Sequence, residues 1–138
     1  GNIWLGGGCD YWIIRECYAN GSSGQPSIKA SNASNLLIQN CNLENNKSTA
    51  IHLGANTRNP IIENCRFEGS EPAIEVEPGA TSTRVVGNQF EIDAILEPPI
   101  LATATPGNGD TQIGFNGAFY QNVDEHFHLE ALIARKPE

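Results

Sequence analysis

Two sets of polar side chains recur along this sequence at a spacing that could assemble a chemical site. The first set is Trp4, Lys29, His52 and Glu75. Side by side, these groups could hold a sugar chain, because an indole stacks on a pyranose ring while the others bond hydroxyls or an acidic sugar. The alternative is an ordinary solvated face, in which the Lys, His and Glu side chains complement one another across neighbouring strands.

The second set consists of carboxylates at a similar spacing, in Glu44, Glu68 and Glu91. Like charges stacked about 5 Å apart repel, so such a column is either tolerated where the side chains splay into water or used for binding. Oxygen ligands of this density could hold calcium. Two carboxyl groups about 5–5.5 Å apart would match a retaining glycosidase, and a wider pair would match an inverting one. A solvated acidic edge is the alternative.

A pair of histidines near the end of the chain could bind a metal ion. His126 and His128 would point the same way on a strand. No third ligand can be placed beside them, so surface or interface histidines are the alternative to a metal site. Calcium at the glutamates is the other cofactor that the residues would allow, and otherwise we expect none.

The elements that position these side chains are indicated by a cysteine repeat. Cys17, Cys41 and Cys65 are each 24 residues apart, and Asn88 follows in the same position. A fixed period of this size predicts a solenoid in which each coil buries its apolar face against the next. We predict a stack of buried free thiols, because in-register Cβ atoms are nearly parallel and slightly too far apart for a disulfide. Buried Asn88 would need backbone partners.

Four apolar columns run in step with the cysteines. They are Ile14, Ile38, Ile62 and Val85; Ala19, Leu43, Phe67 and Phe90; Ile3, Ile28, Ile51 and Ile74; and Leu5, Ala30, Leu53 and Val76. Their alternation predicts at least two short strands in every coil. Stretches rich in Gly, Asn, Ser and Pro, such as 20–24 and 77–79, separate the strands and predict turns.

Ile-Glu-Asn-Cys-Arg-Phe at 62–67 and Val-Val-Gly-Asn-Gln-Phe at 85–90 resemble coils of the right-handed parallel β-helix, or pectate-lyase-like, superfamily. The resemblance spans about residues 2–92 and implies an all-β parallel β-helix of about four coils. Pectate lyases, polygalacturonases and phage tailspikes share this fold. Paired aspartates like those of polygalacturonases are missing, because Asp10, Asp93, Asp110 and Asp124 do not share a repeat register. No aspartate cluster of the pectate lyase kind faces the arginines either.

Composition excludes two classes of partner. The 138 residues include 16 acidic and 8 basic side chains, giving a net charge of −8. A nucleic-acid-binding face needs clustered Lys and Arg, so we expect no nucleic acid partner. No apolar run approaches the roughly 18–20 residues that cross a bilayer. Because the sequence has no methionine and begins with Gly1 just before a strand, we expect a fragment or a processed form.

The repeat is predicted to end at Pro98-Pro99, because proline removes donors that a central strand needs. We therefore assign residues 1–97 to the coils and 98–138 to a cap or oligomer interface that covers an open end. The segment 123–136 fits either a strand or a helix, and its alternation favours the strand.

The combined features favour a structural module of a virion or extracellular particle, similar to parts of phage tailspikes and fibres. We expect it to be a homo-oligomer, with a trimer favoured, and to contact surface polysaccharide. The alternatives are a C-terminal portion of a polysaccharide lyase or glycoside hydrolase, and a non-catalytic carbohydrate-binding module. The absence of recognisable catalytic pairs weighs against an enzyme.

Overall fold

A computed structural model describes residues 2–20, 24–44, 49–69 and 73–92 of the chain, and the backbone of four later strands. All regular elements in these residues are short strands, so the prediction of an all-β fold is confirmed. The strands up to residue 92 are β1 (Ile3–Leu5), β2 (Cys9–Asp10), β3 (Ile13–Arg15), β4 (Tyr18–Asn20), β5 (Ile28–Ala30), β6 (Ala33–Ser34), β7 (Leu37–Gln39), β8 (Asn42–Glu44), β9 (Ile51–Leu53), β10 (Ile61–Glu63), β11 (Arg66–Glu68), β12 (Ile74–Val76), β13 (Arg84–Val86) and β14 (Gln89–Ile92). The later strands are β15 (Ile100–Thr103), β16 (Gln112–Gly114), β17 (Gly117–Tyr120) and β18 (Ile133–Lys136).

Three parallel sheets form the sides of a solenoid. Sheet A has the order β1-β5-β9-β12-β15-β18, sheet B has β3-β7-β10-β13-β16, and sheet C has β4-β8-β11-β14-β17. Each inner strand of a sheet pairs with the strand one coil earlier and with the strand one coil later, and a small pair, β2 and β6, adds a fourth side to the first coils. From β1 to β12 the chain completes three turns, and the fourth turn continues through β13 and β14.

The predicted columns are in register. In sheet B, Ile38 pairs with Ile14 on one side and with Ile62 on the other. In sheet A, Ile51 stands between Ile28 and Ile74. Because neighbouring residues on a strand point to opposite faces, these pairings line the interior with one set of side chains and leave the other set outside.

Buried aliphatic and aromatic side chains fill the interior. Ile38, Ile51 and Ile62 are fully buried, and the rings of Phe67 and Phe90 stack with their centroids 5.2 Å apart. Burying one such side chain stabilises the fold by about 1.5–3 kcal/mol. Since each coil buries its apolar residues against the next, the stability of the solenoid depends on stacking rather than on any single coil.

The cysteine column is made of free thiols, as predicted. Cys41 and Cys65 are buried, and their sulfurs lie 3.6 Å and 3.7 Å from the carbonyl oxygens of Ile14 and Ile38. Hydrogen bonding with Cys41 and burial raise the pKa of the Cys65 thiol. Cys17 differs from the prediction in being only half-buried, because it has a coil of the stack on one side alone.

Asn88 ends this column and bonds to backbone, as predicted. Its Oδ1 accepts a hydrogen bond from the Cys65 N–H at 2.9 Å, and its Nδ2 donates to the Ile62 carbonyl at 3.0 Å. A buried amide can replace the thiol here because both of its ends find partners.

Residues with left-handed backbone conformations turn the chain between sides. Three corners repeat in the first four coils, and they hold Gly8, Asn32, Asn56 and Gly79; Tyr11, Asn35, Asn59 and Ser82; and Glu16, Asn40, Asn64 and Gly87. Asparagine tolerates positive φ better than most residues. Its side chains also form ladders, as Asn56 donates to Asn32 at 3.0 Å and Asn59 to Asn35 at 3.2 Å.

Backbone pairing continues past residue 97, where the sequence predicts that the coils end. Strand β15 pairs with β12, β16 with β13, β17 with β14, and β18 with β15, all in parallel. The role of 98–138 as a cap or oligomer interface stays a prediction. Of the ambiguous segment 123–136, Ile133–Lys136 is a strand, whereas His126 and His128 lie outside the described residues. Over the part of the chain that the structure describes, no helix could span a membrane.

Candidate functional site

The outward face of sheet A carries the first predicted column in register. Trp4 pairs with Lys29, Lys29 with His52, and His52 with Glu75. The residues before and after each of them point inward, and Ile28, Ala30, Ile51 and Leu53 are buried. The sheet therefore presents an indole, an ammonium group, an imidazole and a carboxylate on one line, supported by packed core residues.

The first half of this face is an aromatic corner with a recess. The Trp4 side chain is 73% exposed, and the Lys29 Nζ lies 5.5 Å from the centroid of its ring, which is the geometry of a cation–π contact. A recess of about 170 Å³ lies beside them, lined by Asn2, Ile3, Trp4, Gln25, Pro26 and Lys29. It combines an apolar wall with two amide side chains and a charge.

The second half of the face is a cluster that we call the His–Glu cluster, formed by His52, Glu75 and Glu77. Its three side chains are half-buried, and one ligand atom from each lies within 4.8 Å of the other two. The His52 Nε2 is 3.6 Å from the Glu77 Oε1. Thr49 Oγ1 donates to Glu75 Oε2 at 3.4 Å.

Glu77 is the member of this cluster that the sequence interpretation missed. It follows Glu75 by two residues, so the strand alternation places both on the same side. Glycine at position 54 leaves room beside the His52 ring, since a Cβ there would lie 3.7 Å from the His52 Cε1 and 3.2 Å from the Ala30 carbonyl oxygen. The signal was therefore in the sequence, two positions beyond a residue already singled out.

The second predicted column lies on sheet C and contains an arginine. Glu68 pairs with Glu44 and with Glu91, as the spacing predicts. The Arg66 guanidinium lies 2.6 Å from the Glu91 carboxylate, 3.5 Å from Glu68 and 3.8 Å from Glu44. The hydrogen bond and charge of Glu91 raise the Arg66 pKa. Arg66 thus offsets the repulsion between the carboxylates.

Glu44 is also bonded to neutral side chains. Tyr18 donates its hydroxyl hydrogen to Glu44 at 3.0 Å, and Asn42 donates from Nδ2 at 2.7 Å. These contacts and Arg66 occupy the carboxylates that a calcium ion or a glycosidic bond would need. The glutamate column lies on sheet C, so it does not share a face with Trp4 and His52.

Large apolar side chains are exposed on the first coil. In the described residues the most exposed of them are Trp4, Tyr11, Trp12, Ile13 and Tyr18. Exposed aromatic groups close together are typical of surfaces that contact another molecule.

Comparison with known proteins identifies the repeat. A sequence-family model described as the right-handed beta helix region matches residues 1–117. Neither the search of curated proteins nor the search of solved structures gave a match.

Proposed function

We propose that this chain, which belongs to the right-handed β-helix family, is a rigid structural module of an extracellular or virion particle that contacts polysaccharide through sheet A. Two features support this proposal. The coils stack in register over the described residues, which gives a stiff scaffold of paired backbone. One face of that scaffold carries side chains suited to sugars.

The Trp4 recess is the observation that carries the polysaccharide contact. An exposed indole offers a flat apolar surface to the C–H face of a pyranose ring, while the Asn2 and Gln25 amides both donate and accept hydrogen bonds. The Lys29 ammonium would bond a hydroxyl or an acidic group of the sugar. Because Trp4 and Lys29 lie on paired strands, the site is held by the fold before any ligand binds.

Assembly into a homo-oligomer is the second part of the proposal, with a trimer as the expected state. The exposed aromatic and aliphatic side chains of the first coil, including Tyr11, Trp12 and Tyr18, support a contact surface. Burying them between subunits would remove apolar area from water. Light scattering coupled to size-exclusion chromatography measures the mass directly, and a monomer at micromolar concentration would contradict this part.

The polysaccharide contact is tested by glycan binding. We expect the wild-type protein to bind at least one neutral or acidic polysaccharide on an array, and the variant Trp4→Ala to lose that binding at least tenfold. Arg84→Ala is the control, because Arg84 is exposed and lies outside both the recess and the contact surface of the first coil. Equal loss in both variants, or binding that survives Trp4→Ala, would contradict the assignment of the recess.

The same wild-type protein and polysaccharide distinguish simple binding from a catalytic role. The proposal predicts that the bound polysaccharide stays intact, as measured by reducing-end release and by absorbance of unsaturated uronates. Cleavage that depends on Glu44, Glu68 or Glu91 would contradict a non-catalytic module and favour the lyase or glycosidase alternative.

A further inference from the structure

We propose that the His–Glu cluster is a binding site for a divalent transition-metal ion, with zinc as the reference ion. His52 supplies an imidazole nitrogen, and Glu75 and Glu77 each supply a carboxylate oxygen. The proposal does not depend on the polysaccharide contact, because Trp4 and its recess lie at the other end of the face.

The spacing of the cluster fits a shared ion better than direct hydrogen bonding. At 3.6 Å, His52 Nε2 and Glu77 Oε1 are beyond the range of an N–H···O hydrogen bond. Ligand atoms about 2.0–2.2 Å from a zinc ion at tetrahedral angles lie roughly 3.3–3.6 Å apart. The third ligand atom, from Glu75, lies within 4.8 Å of both others, so a small side-chain rotation would complete a three-ligand site.

The imidazole of His52 gives an independent indication. Its Nδ1 is buried and has no hydrogen-bond partner among the described residues. A buried polar atom without a partner is uncommon and costs stability. The Nδ1 of this ring therefore lacks a hydrogen bond in the part of the chain that the structure describes, while the Nε2 faces the Glu77 carboxylate, and a metal ion would use one of the two nitrogens.

The local charge also suits a dication. Two carboxylates and a neutral imidazole would balance a charge of +2. The nearest cationic side chain in the column is Lys29, and its ammonium group lies over the Trp4 ring, which draws it toward the recess.

The choice of ion follows from the donor atoms. Imidazole nitrogen favours zinc, copper, nickel and iron, whereas calcium and magnesium prefer oxygen ligands alone. Three protein ligands would leave a further position open to water. Since His52 is on β9 and Glu75 is on the paired strand β12, a bound ion would also join two successive coils.

Cobalt(II) is a suitable probe, because it takes zinc sites and gives visible ligand-field absorption. We expect one equivalent of cobalt to bind per chain and to be displaced by zinc. The single variants His52→Gln, Glu75→Gln and Glu77→Gln should each weaken binding at least tenfold. All three side chains point outward, so the variants should keep the circular dichroism spectrum of the wild type.

Two controls separate this site from others. Glu63→Gln removes an outward carboxylate of sheet B that accepts from Gln39, and the double variant His126→Gln/His128→Gln removes the other candidate histidines; both should bind cobalt within twofold of wild type. Loss of binding in the double variant, sulfur-to-cobalt charge-transfer absorption, or unchanged binding in the three cluster variants would overturn the proposal.

Discussion

Single residues decide where each coil turns. The corner before the cysteine column holds Glu16, Asn40, Asn64 and Gly87, all with positive φ. The turn lets the chain leave sheet B and enter sheet C while keeping the next side chain inward. Gly87 has a second reason to lack a side chain, since a Cβ there would lie 2.7 Å from the Asn64 Oδ1.

We predict that Gly87→Ala lowers the free energy of unfolding by about 1–3 kcal/mol, the usual cost of a residue held in a sparsely populated backbone conformation. Because the Asn64 side chain must also be displaced, the loss of unfolding free energy should lie toward the upper end of this range. Urea unfolding followed by circular dichroism measures the change.

Gly24→Ala is the matched control for this prediction. Gly24 also has a positive φ, 77°, but no atom lies within 4 Å of the position that its Cβ would take. It should carry the backbone cost without the steric one. If Gly87→Ala proved no more destabilising than Gly24→Ala, the steric part of the explanation would be wrong.

The residues of the site were partly predictable. The spacing placed Trp4, Lys29, His52 and Glu75 on one line, because a repeat of fixed length transfers register from coil to coil. Glu77 lies outside the repeated column, although its place two residues after Glu75 indicates the same side of the strand. The neutralising position of Arg66 did not follow from the spacing, because it depends on how far a long side chain reaches sideways between columns.

At the scale of the strands, sheet C combines a charge ladder with a buried aromatic stack. The outward side holds the glutamates and Arg66, and the inward side holds Phe67 and Phe90. Exposed ion pairs contribute little individually. Here one guanidinium faces three stacked carboxylates, so its removal leaves their mutual repulsion without compensation.

We predict that Arg66→Gln destabilises the protein at low ionic strength and that most of the loss disappears in 1 M salt, where the screening length is about 3 Å. Thermal unfolding at the two salt concentrations measures the effect. Arg84→Gln is the control, because Arg84 is an exposed arginine on the adjacent sheet, with no ion pair found among the described residues. A loss in Arg66→Gln that does not change with salt would indicate packing instead of charge.

The strands themselves were predicted less completely than the columns. Each repeat segment around the cysteines, such as 14–19, is two strands, β3 and β4 in the first coil, because a left-handed residue divides it. Hydrophobic alternation does not reveal this division, since the corner keeps the cysteine on the inner side. The continuation of pairing into β15–β18 was hidden for another reason, because the repeat length changes after Pro98-Pro99. Val85 pairs with Ile113, which is 28 residues later instead of 23 to 25.

At the scale of the molecule, one geometric rule accounts for the core, the thiol column and the proposed sites. Each residue in strands β1 to β14 is paired with a residue one coil away, and within these strands the partner is 23 to 25 positions along the chain. The interior is mainly apolar because like apolar residues lie over one another. The outer face of sheet A is a line of polar and aromatic side chains for the same reason, so both the proposed sugar contact and the proposed metal site depend on this register.

Nuclear Overhauser measurements on the isotope-labelled protein test this rule most directly. The fold predicts cross-peaks between the methyl groups of Ile28 and Ile51 and between those of Ile51 and Ile74, together with amide-to-α contacts across the paired strands. Contacts confined to residues three or four positions apart, or isoleucine pairs shifted by one residue, would contradict it.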